Sequence, residues 1–301
     1  MTPEAVEHIA VAPRRPVLRW HGGKWKLAPW IISHFPPHRV YVEPFGGAAS
    51  VLMRKERAYA EVYNDMDDDV VGLFRVLQRH ADAARLIELL RLTPFARREF
   101  EIAWNETDDE VERARRLIIR AFMGFGSNAH NGLGRGHKTT SFRANSNKSG
   151  TTPAHNWANY AECVDSIVDR LRGVIVEHRD AVEVMRQHDA PTTLHYVDPP
   201  YLPETRAPSG KSDFKMRMYR HELTRDDHVP LLEALRALDG MVVLSGYPAP
   251  LYDDMLPDWR RVEKEAMADG ARPRTEVLWI NPRACAASEA GSLPMFARSA
   301  E

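Results

Sequence analysis

The apolar positions of the chain follow two periods that alternate along most of its length. Residues 27–35, LAPWIISHF, carry a helical apolar pattern that stops at Pro36-Pro37. Short apolar runs then predict strands at Val40-Tyr41-Val42, Ala60–Tyr63, Gly173–His178, Thr193–Val197, Met241–Ser245 and Glu276–Asn281. Helical spacing predicts helices over 69–91, 97–104, 110–122, 157–172, 181–188 and 226–238. After the first strand, Gly46-Gly47 predicts a tight turn, and Val51-Leu52-Met53 predicts a helix start. Residues 124–156 fit neither period, because Gly124, Gly126, Gly132, Gly134, Gly136 and Gly150 interrupt a polar stretch.

Strands alternating with helices at both ends of the chain predict an α/β fold: a doubly wound, mostly parallel, Rossmann-like sheet. The stretch 81–165 reads as an inserted, mostly helical domain between the two parts of the sheet domain, 17–80 and 166–283. Residues 1–16 and 284–301 are expected to be disordered tails. The first 16 residues, MTPEAVEHIAVAPRRP, show no apolar h-region, and no run approaches the roughly 18 apolar residues of a membrane helix. We therefore expect a cytoplasmic protein without membrane contact.

Composition changes this picture little: of 301 residues, 44% are hydrophobic and 28% charged, and the net charge is −1. The distribution of charge says more. Residues 111–150 hold eight Lys or Arg against one acid, and residues 205–225 hold six against two. Such runs are usually solvated faces, but here both lie in loops rich in small polar residues, where a phosphate backbone can be followed. Two cysteines, Cys163 and Cys285, lack a CxxC partner, and the 13 histidines show no H-E-x-x-H pairing, so no metal is implied.

Three stretches carry candidate chemistry. Asp198-Pro199-Pro200-Tyr201 stands at the carboxyl end of an apolar strand, the edge where open α/β sheets bind ligands. The prolines fix the turn, so the Asp198 carboxylate and the Pro199 carbonyl can accept both hydrogens of one amine. An exocyclic amine on adenine is a poor nucleophile, and two such acceptors favour a pyramidal nitrogen and stabilise its developing charge. Tyr201 offers a ring on which a base can stack. The plainer alternative is a rigid Pro-Pro turn capped by Asp. Second, Glu43-Pro44-Phe45-Gly46-Gly47 follows a strand, and Asp65 lies 19 residues beyond Gly46, where such folds bind ribose hydroxyls. Third, Gly22-Gly23-Lys24 before the first helix suits a carboxylate. Each of the last two is weak by itself.

Taken in order, RWHGGKWKLAPWI, VYVEPFGGAASVL, YNDMDDDV and HYVDPPY resemble the Dam-like family of adenine-N6 DNA methyltransferases over roughly residues 17–282. The resemblance implies S-adenosylmethionine as cofactor. Trp20 and Lys24 would contact its methionine portion and Asp65 its ribose. Glu43, Phe45 and Gly46 would line the pocket, Asp180 would lie near its adenine, and Asp198 would stand between cofactor and target base. It implies catalysis by Asp198, Pro199, Pro200 and Tyr201 on a flipped-out adenine. It makes 81–165 the target-recognition domain and duplex DNA the partner of a monomer, or of a pair formed transiently on DNA. Ser127, Asn128, Arg135, Lys138, Arg143, Lys215 and Arg217 are candidates for the DNA face, more as phosphate contacts than as base readers.

The spacing agrees independently, since 152 residues separate Gly46 from Asp198, about twice what the intervening βα units need. The turn reads GGAAS where the family more often has a further glycine. Alternatives from the same fold are methylation of RNA, of protein or of cytosine N4 (where Ser is usual before Pro-Pro), and an inactive DNA-binding relative.

Overall fold

A computed structural model describes residues 12–126, 140–144, 151–205, 220–267 and 273–292. Among the described residues seven strands form one sheet: β1 (Val40–Glu43), β2 (Ala60–Asn64), β3 (Val174–Glu177), β4 (Thr193–Val197), β5 (Met241–Gly246), β6 (Arg260–Met267) and β7 (Pro273–Ile280). Their order is β3-β2-β1-β4-β5-β7-β6. The first five are parallel, β7 runs antiparallel to β5, and β6 antiparallel to β7. β1 lies between β2 and β4, so the strand order reverses there and a crevice opens beyond the carboxyl ends of β1 and β4.

Side-chain alternation along the strands separates two apolar layers. Tyr41, Tyr63, Tyr196, Val243 and Leu278 belong to the layer that also holds the helices between β2 and β3. Val197, Val242, Leu244 and Trp279 belong to the other, against α9 (Arg225–Ala237) and α10 (Pro250–Met255). The first layer is continuous with α2 (Asp68–Gln78), α3 (His80–Leu92) and α5 (Glu110–Met123) through Val70, Phe74, Leu86, Leu117 and Ile118. In α5 the buried Val111, Ala114, Leu117 and Ile118 recur at helical spacing, and Asp109 caps the helix by accepting from the Val111 and Glu112 amides.

Several expectations need correction. The helix over 69–91 is two helices, because Arg79 is extended (φ −91°, ψ 110°) between α2 and α3. The helix over 157–172 is instead α6 (Pro153–Ala158), a 3-10 turn at Ala161–Cys163 and α7 (Val164–Leu171). Trp157 and Tyr160 are tied across it to the Thr93 and Val17 carbonyls. No regular helix follows Gly47: residues 47–55 are turns, with Ala49 in the left-handed region at φ 50°. The tail expected after residue 283 contains α11 (Pro282–Ser292), where Asn281 accepts from the Ala284 amide. Residues 12–16, expected in the other tail, are ordered, with Arg15 donating to the Asn156 carbonyl at 2.9 Å. β6 escaped notice because RRVEKEAM is a charged edge strand with no alternating apolar face. Among the described residues no helix is long and apolar enough to cross a membrane.

Candidate active site

The crevice holds a cavity of about 460 Å³, and Trp20, Lys24, Glu43, Phe45, Gly46, Asp65, Asp180 and Asp198 all line it. The three sequence stretches, far apart along the chain, therefore line one cavity.

The floor is the turn after β1. The Gly46 amide donates to the Asn64 carbonyl at 2.8 Å, and a Cβ at Gly46 would lie 2.1 Å from the Tyr63 ring. Gly47 has φ +47°, and a Cβ there would lie 2.7 Å from Trp20 Nε1. Both positions thus require glycine, one by contact and one also by conformation. The Asp65 carboxylate accepts from the Gly47 amide through Oδ2 and the Asp67 amide through Oδ1, both at 2.8 Å. Burial raises the Asp65 pKa against the opposing effect of these donors. Asp180 caps α8 (Ala181–Gln187), accepting from Val182 and Glu183 amides, and stands exposed at the rim.

Glu43 ends β1 beneath this floor, 3% exposed, accepting from the Tyr41 hydroxyl at 2.8 Å and the Leu52 amide at 3.0 Å. Burial, with a lesser push from the Asp198 charge, raises its pKa to about 8 against those two donors. Its folded pKa lies above the unfolded value, so the folded state holds the extra proton and stability falls as pH rises from about 4.5 toward 8. The slope is up to about 1.4 kcal/mol per pH unit, flattening above 8. Urea denaturation should show wild type losing stability relative to Glu43→Gln across that window. Parallel pH profiles for the two proteins would refute the assignment.

The Pro-Pro turn leaves β4 at Asp198. Ser245, near the carboxyl end of neighbouring β5, donates to Asp198 Oδ1 at 2.6 Å, and Lys24 Nζ pairs with Oδ2 at 3.0 Å. Lys24 is 5% exposed; it also donates to the Gly22 carbonyl at 2.8 Å and stands 4.7 Å from the Tyr201 ring centre. A carboxylate has about four acceptor positions, so Asp198 retains capacity for a further donor. Pro199 and Pro200 form cavity wall, whereas the Tyr201 ring lies behind it, buried and edge-on to Tyr247 at 4.6 Å. The Tyr201 hydroxyl donates to Glu276 Oε2 at 2.9 Å.

On the far side of the mouth, Arg220 donates to Asp67 at 3.1 Å and to Asp69 at 3.3 Å, and Arg120 of α5 also reaches Asp69 at 3.3 Å. This charge cluster joins the helices between β2 and β3, the segment after the Pro-Pro turn and the cavity rim. Of the expected DNA-facing residues, Ser127, Asn128, Arg135, Lys138, Lys215 and Arg217 lie outside the described residues. Arg143 is half-buried, and its amide donates to the Met123 carbonyl at 2.7 Å beside an antiparallel bridge between Gly124 and Phe142. Among the described residues no group of His, Cys, Asp and Glu is placed to hold a metal ion.

Sequence reasoning missed Ser245, Glu276 and the roles of Arg220 and Asp67. Ser245 had a usable signal, since it ends a predicted strand at the ligand-binding edge. Glu276 had none, because its place opposite Tyr201 depends on the antiparallel register of β7.

The sequence profile of the D12 class N6 adenine-specific DNA methyltransferases matches residues 20–243. The chain is similar to the DNA adenine methylase of Serratia marcescens, 26% identical over 233 residues, which is 72% of this chain and 82% of that one. It is similar to the DNA adenine methylase of Vibrio cholerae serotype O1 (strain ATCC 39541), 26% identical over 198 residues, 63% of this chain and 66% of that one. A shorter match, 32% identical over 68 residues, relates 23% of it to 24% of the DNA adenine methylase of Escherichia coli (strain K12).

Proposed function

The chain belongs to the D12 class of N6 adenine-specific DNA methyltransferases, and from that premise we propose that it moves a methyl group from S-adenosylmethionine to the N6 amine of an adenine turned out of duplex DNA. The observation that carries this reading is the meeting of Asp198-Pro199-Pro200 with the Lys24 loop and the Gly46-Gly47 floor around one cavity.

The residues present suit the cofactor. The ammonium of Lys24 matches a carboxylate, Asp65 and Asp180 offer acceptors to hydroxyl and amine groups, and the floor keeps its shape against Tyr63 and Trp20 only while positions 46 and 47 lack a Cβ. When bound, S-adenosylmethionine supplies a methyl group made electrophilic by a positive sulfur.

The rest is the work of this chain. Asp198 Oδ and the Pro199 carbonyl accept the two hydrogens of the amine and hold its nitrogen pyramidal, with the lone pair released from the ring. The Asp198 charge stabilises the nitrogen as it becomes positive, and then takes the proton that the nitrogen must lose. Ser245 keeps Oδ1 oriented. The adenine cannot reach this turn inside a duplex and enters flipped. The helices at 81–165 serve as a target-recognition domain, with Ser127, Asn128, Arg135, Lys138, Arg143, Lys215 and Arg217 facing the DNA.

Incubation with methyl-labelled S-adenosylmethionine and unmethylated duplex DNA, followed by digestion to nucleosides, should place the label in N6-methyladenine. Label in N4-methylcytosine, or only in an RNA or protein acceptor, would refute the reading. Gly47→Ala should weaken cofactor binding by about tenfold or more, since a left-handed Ala costs roughly 1–2 kcal/mol and the added methyl displaces Trp20. Calorimetric titration with the cofactor checks this; an unchanged Kd would mean the floor does not touch the ligand.

A further inference from the structure

Behind the Pro-Pro turn, the buried residues make an ordered set of contacts, of which the chemistry proposed above uses only the Ser245 bond to Asp198. Glu276 lies on β7, 8% exposed, and accepts from the Tyr201 hydroxyl at 2.9 Å. The same hydroxyl is 3.5 Å from Ser245 Oγ, which also meets the Tyr196 hydroxyl at 3.3 Å and donates to Asp198 at 2.6 Å. The Tyr201 ring is further bounded by Lys24 on one side and Tyr247 edge-on, with the Arg274 guanidinium 5.1 Å from the Tyr247 ring centre. The groups around Glu276 come from four places: Lys24 before α1 (Ala28–Ile32), Asp198 and Tyr201 after β4, Tyr247 after β5, and Arg274 on β7 itself. Lys264 on β6 is its register partner.

We propose that Glu276 is a positioning residue for methyl transfer: its carboxylate holds the Tyr201 hydroxyl and so fixes the turn that carries Asp198 toward the amine. The proposal rests on the catalytic reading above for the step that it serves. The physical argument is one of anchoring. The turn leaves β4 with two prolines that supply no amide donors, so its outer end must be tied by side chains. Tyr201 is the first residue after the prolines that can be tied, and Glu276 is a charged acceptor on a strand fixed by pairing on both sides. A charge-assisted bond in so dry a place is stronger than a neutral one and carries direction. Burial and the neighbouring Asp198 raise the Glu276 pKa, while Lys24 opposes them, which agrees with a carboxylate that needs its phenol donor.

The test is a double-mutant cycle on kcat. Glu276→Ala should lower kcat by about tenfold or more, from the size of hydrogen bonds to charged groups, with KM for DNA and cofactor within about threefold. Tyr201→Phe should lower kcat comparably. The double variant should be no slower than the slower single one, because both remove the same tether. Glu276→Gln keeps a neutral carbonyl acceptor and should recover part of the loss, which separates positioning from mere folding. Wild-type kcat in Glu276→Ala, or losses that multiply in the double variant, would overturn the proposal. A second reading needs no catalysis: NMR of ring-labelled tyrosine, with Tyr201→Phe identifying the signal, should show the Tyr201 resonance moved further by Glu276→Ala than by Glu276→Gln. An unmoved resonance also overturns the tether. A chain forming no N6-methyladenine would refute the proposed function while the NMR comparison still decides this one.

Discussion

Replacing Asp198 with asparagine should slow methylation of duplex DNA by about a thousandfold, or roughly 4 kcal/mol of transition-state stabilisation, while cofactor affinity changes by less than about threefold. The amide is the same size as the carboxylate and keeps one acceptor oxygen, so the turn survives. What is lost is the negative charge facing a nitrogen that becomes positive during attack, and the acceptor for its proton. Lys24 also loses its ion pair, and a nearly buried ammonium 3.0 Å from an amide contributes further repulsion to any positive charge developing beside it. Ser245→Ala should cost much less, about tenfold, since it removes one neutral donor to Oδ1 and leaves the charge. Single-turnover rates with saturating cofactor measure both. Normal methylation by the Asp198 variant would sink the proposed mechanism.

Glu61→Ala should lower stability by about 3–5 kcal/mol, a large part of what a domain this size has available. Glu61 on β2 takes both nitrogens of Arg170 of α7, at 2.6 and 2.9 Å, and Lys55 Nζ at 2.7 Å, and all three side chains are nearly inaccessible. Removing the carboxylate leaves two buried cations facing each other. Burial alone would raise the Glu61 pKa, but the bonds from Arg170 and Lys55 outweigh it and the folded pKa lies below the unfolded one. Its stabilisation is therefore complete above the unfolded value near 4.5 and is lost as pH falls through the folded one. Thermal unfolding near neutral pH should show a drop in Tm of about 10 °C for Glu61→Ala. A triple exchange, Lys55→Met, Glu61→Leu and Arg170→Met, should recover most of it, because an apolar trio needs no mutual neutralisation. A Glu61→Ala protein with unchanged Tm would show that water reaches the cluster.

The inner parallel strands were legible because they are largely buried on both faces and read as short apolar runs: Val40–Val42, Ala60–Tyr63 and Thr193–Val197 lie within a residue of β1, β2 and β4. The eight residues expected at the cofactor converge for a related reason. In such a sheet the ligand edge is fixed by topology, so the six that end or follow strands meet there, while Trp20 and Lys24 reach it from the loop before α1. Illegible were features decided by tertiary pairing. RRVEKEAM becomes β6 only because β7 offers it a partner, and the pairing of Lys24 with Asp198 joins residues 174 positions apart that no local pattern connects. The break at Arg79 was invisible because apolar spacing runs through it on both sides. The helix start expected at Val51 failed where left-handed Ala49 turns the chain instead.

If the residues between Gly124 and Phe142 face the DNA as proposed, the bridge that joins these two residues bears on how target preference can change. The chain leaves the end of α5 and returns within one residue pair, with the Phe125 amide donating to the Ser141 carbonyl at 2.9 Å and Arg143 to Met123 at 2.7 Å. The cost of closing a segment grows only with the logarithm of its length, and its ends here are already held. Sequence between those ends can therefore lengthen, shorten or be exchanged without disturbing α5. The helices themselves share their apolar core with the catalytic sheet and do not travel separately. On the proposed reading, in which residues between these ends face the DNA, variation in target preference should accumulate between Gly124 and Phe142, and transplants cut at those two residues should fold where those cut at the helix boundaries do not.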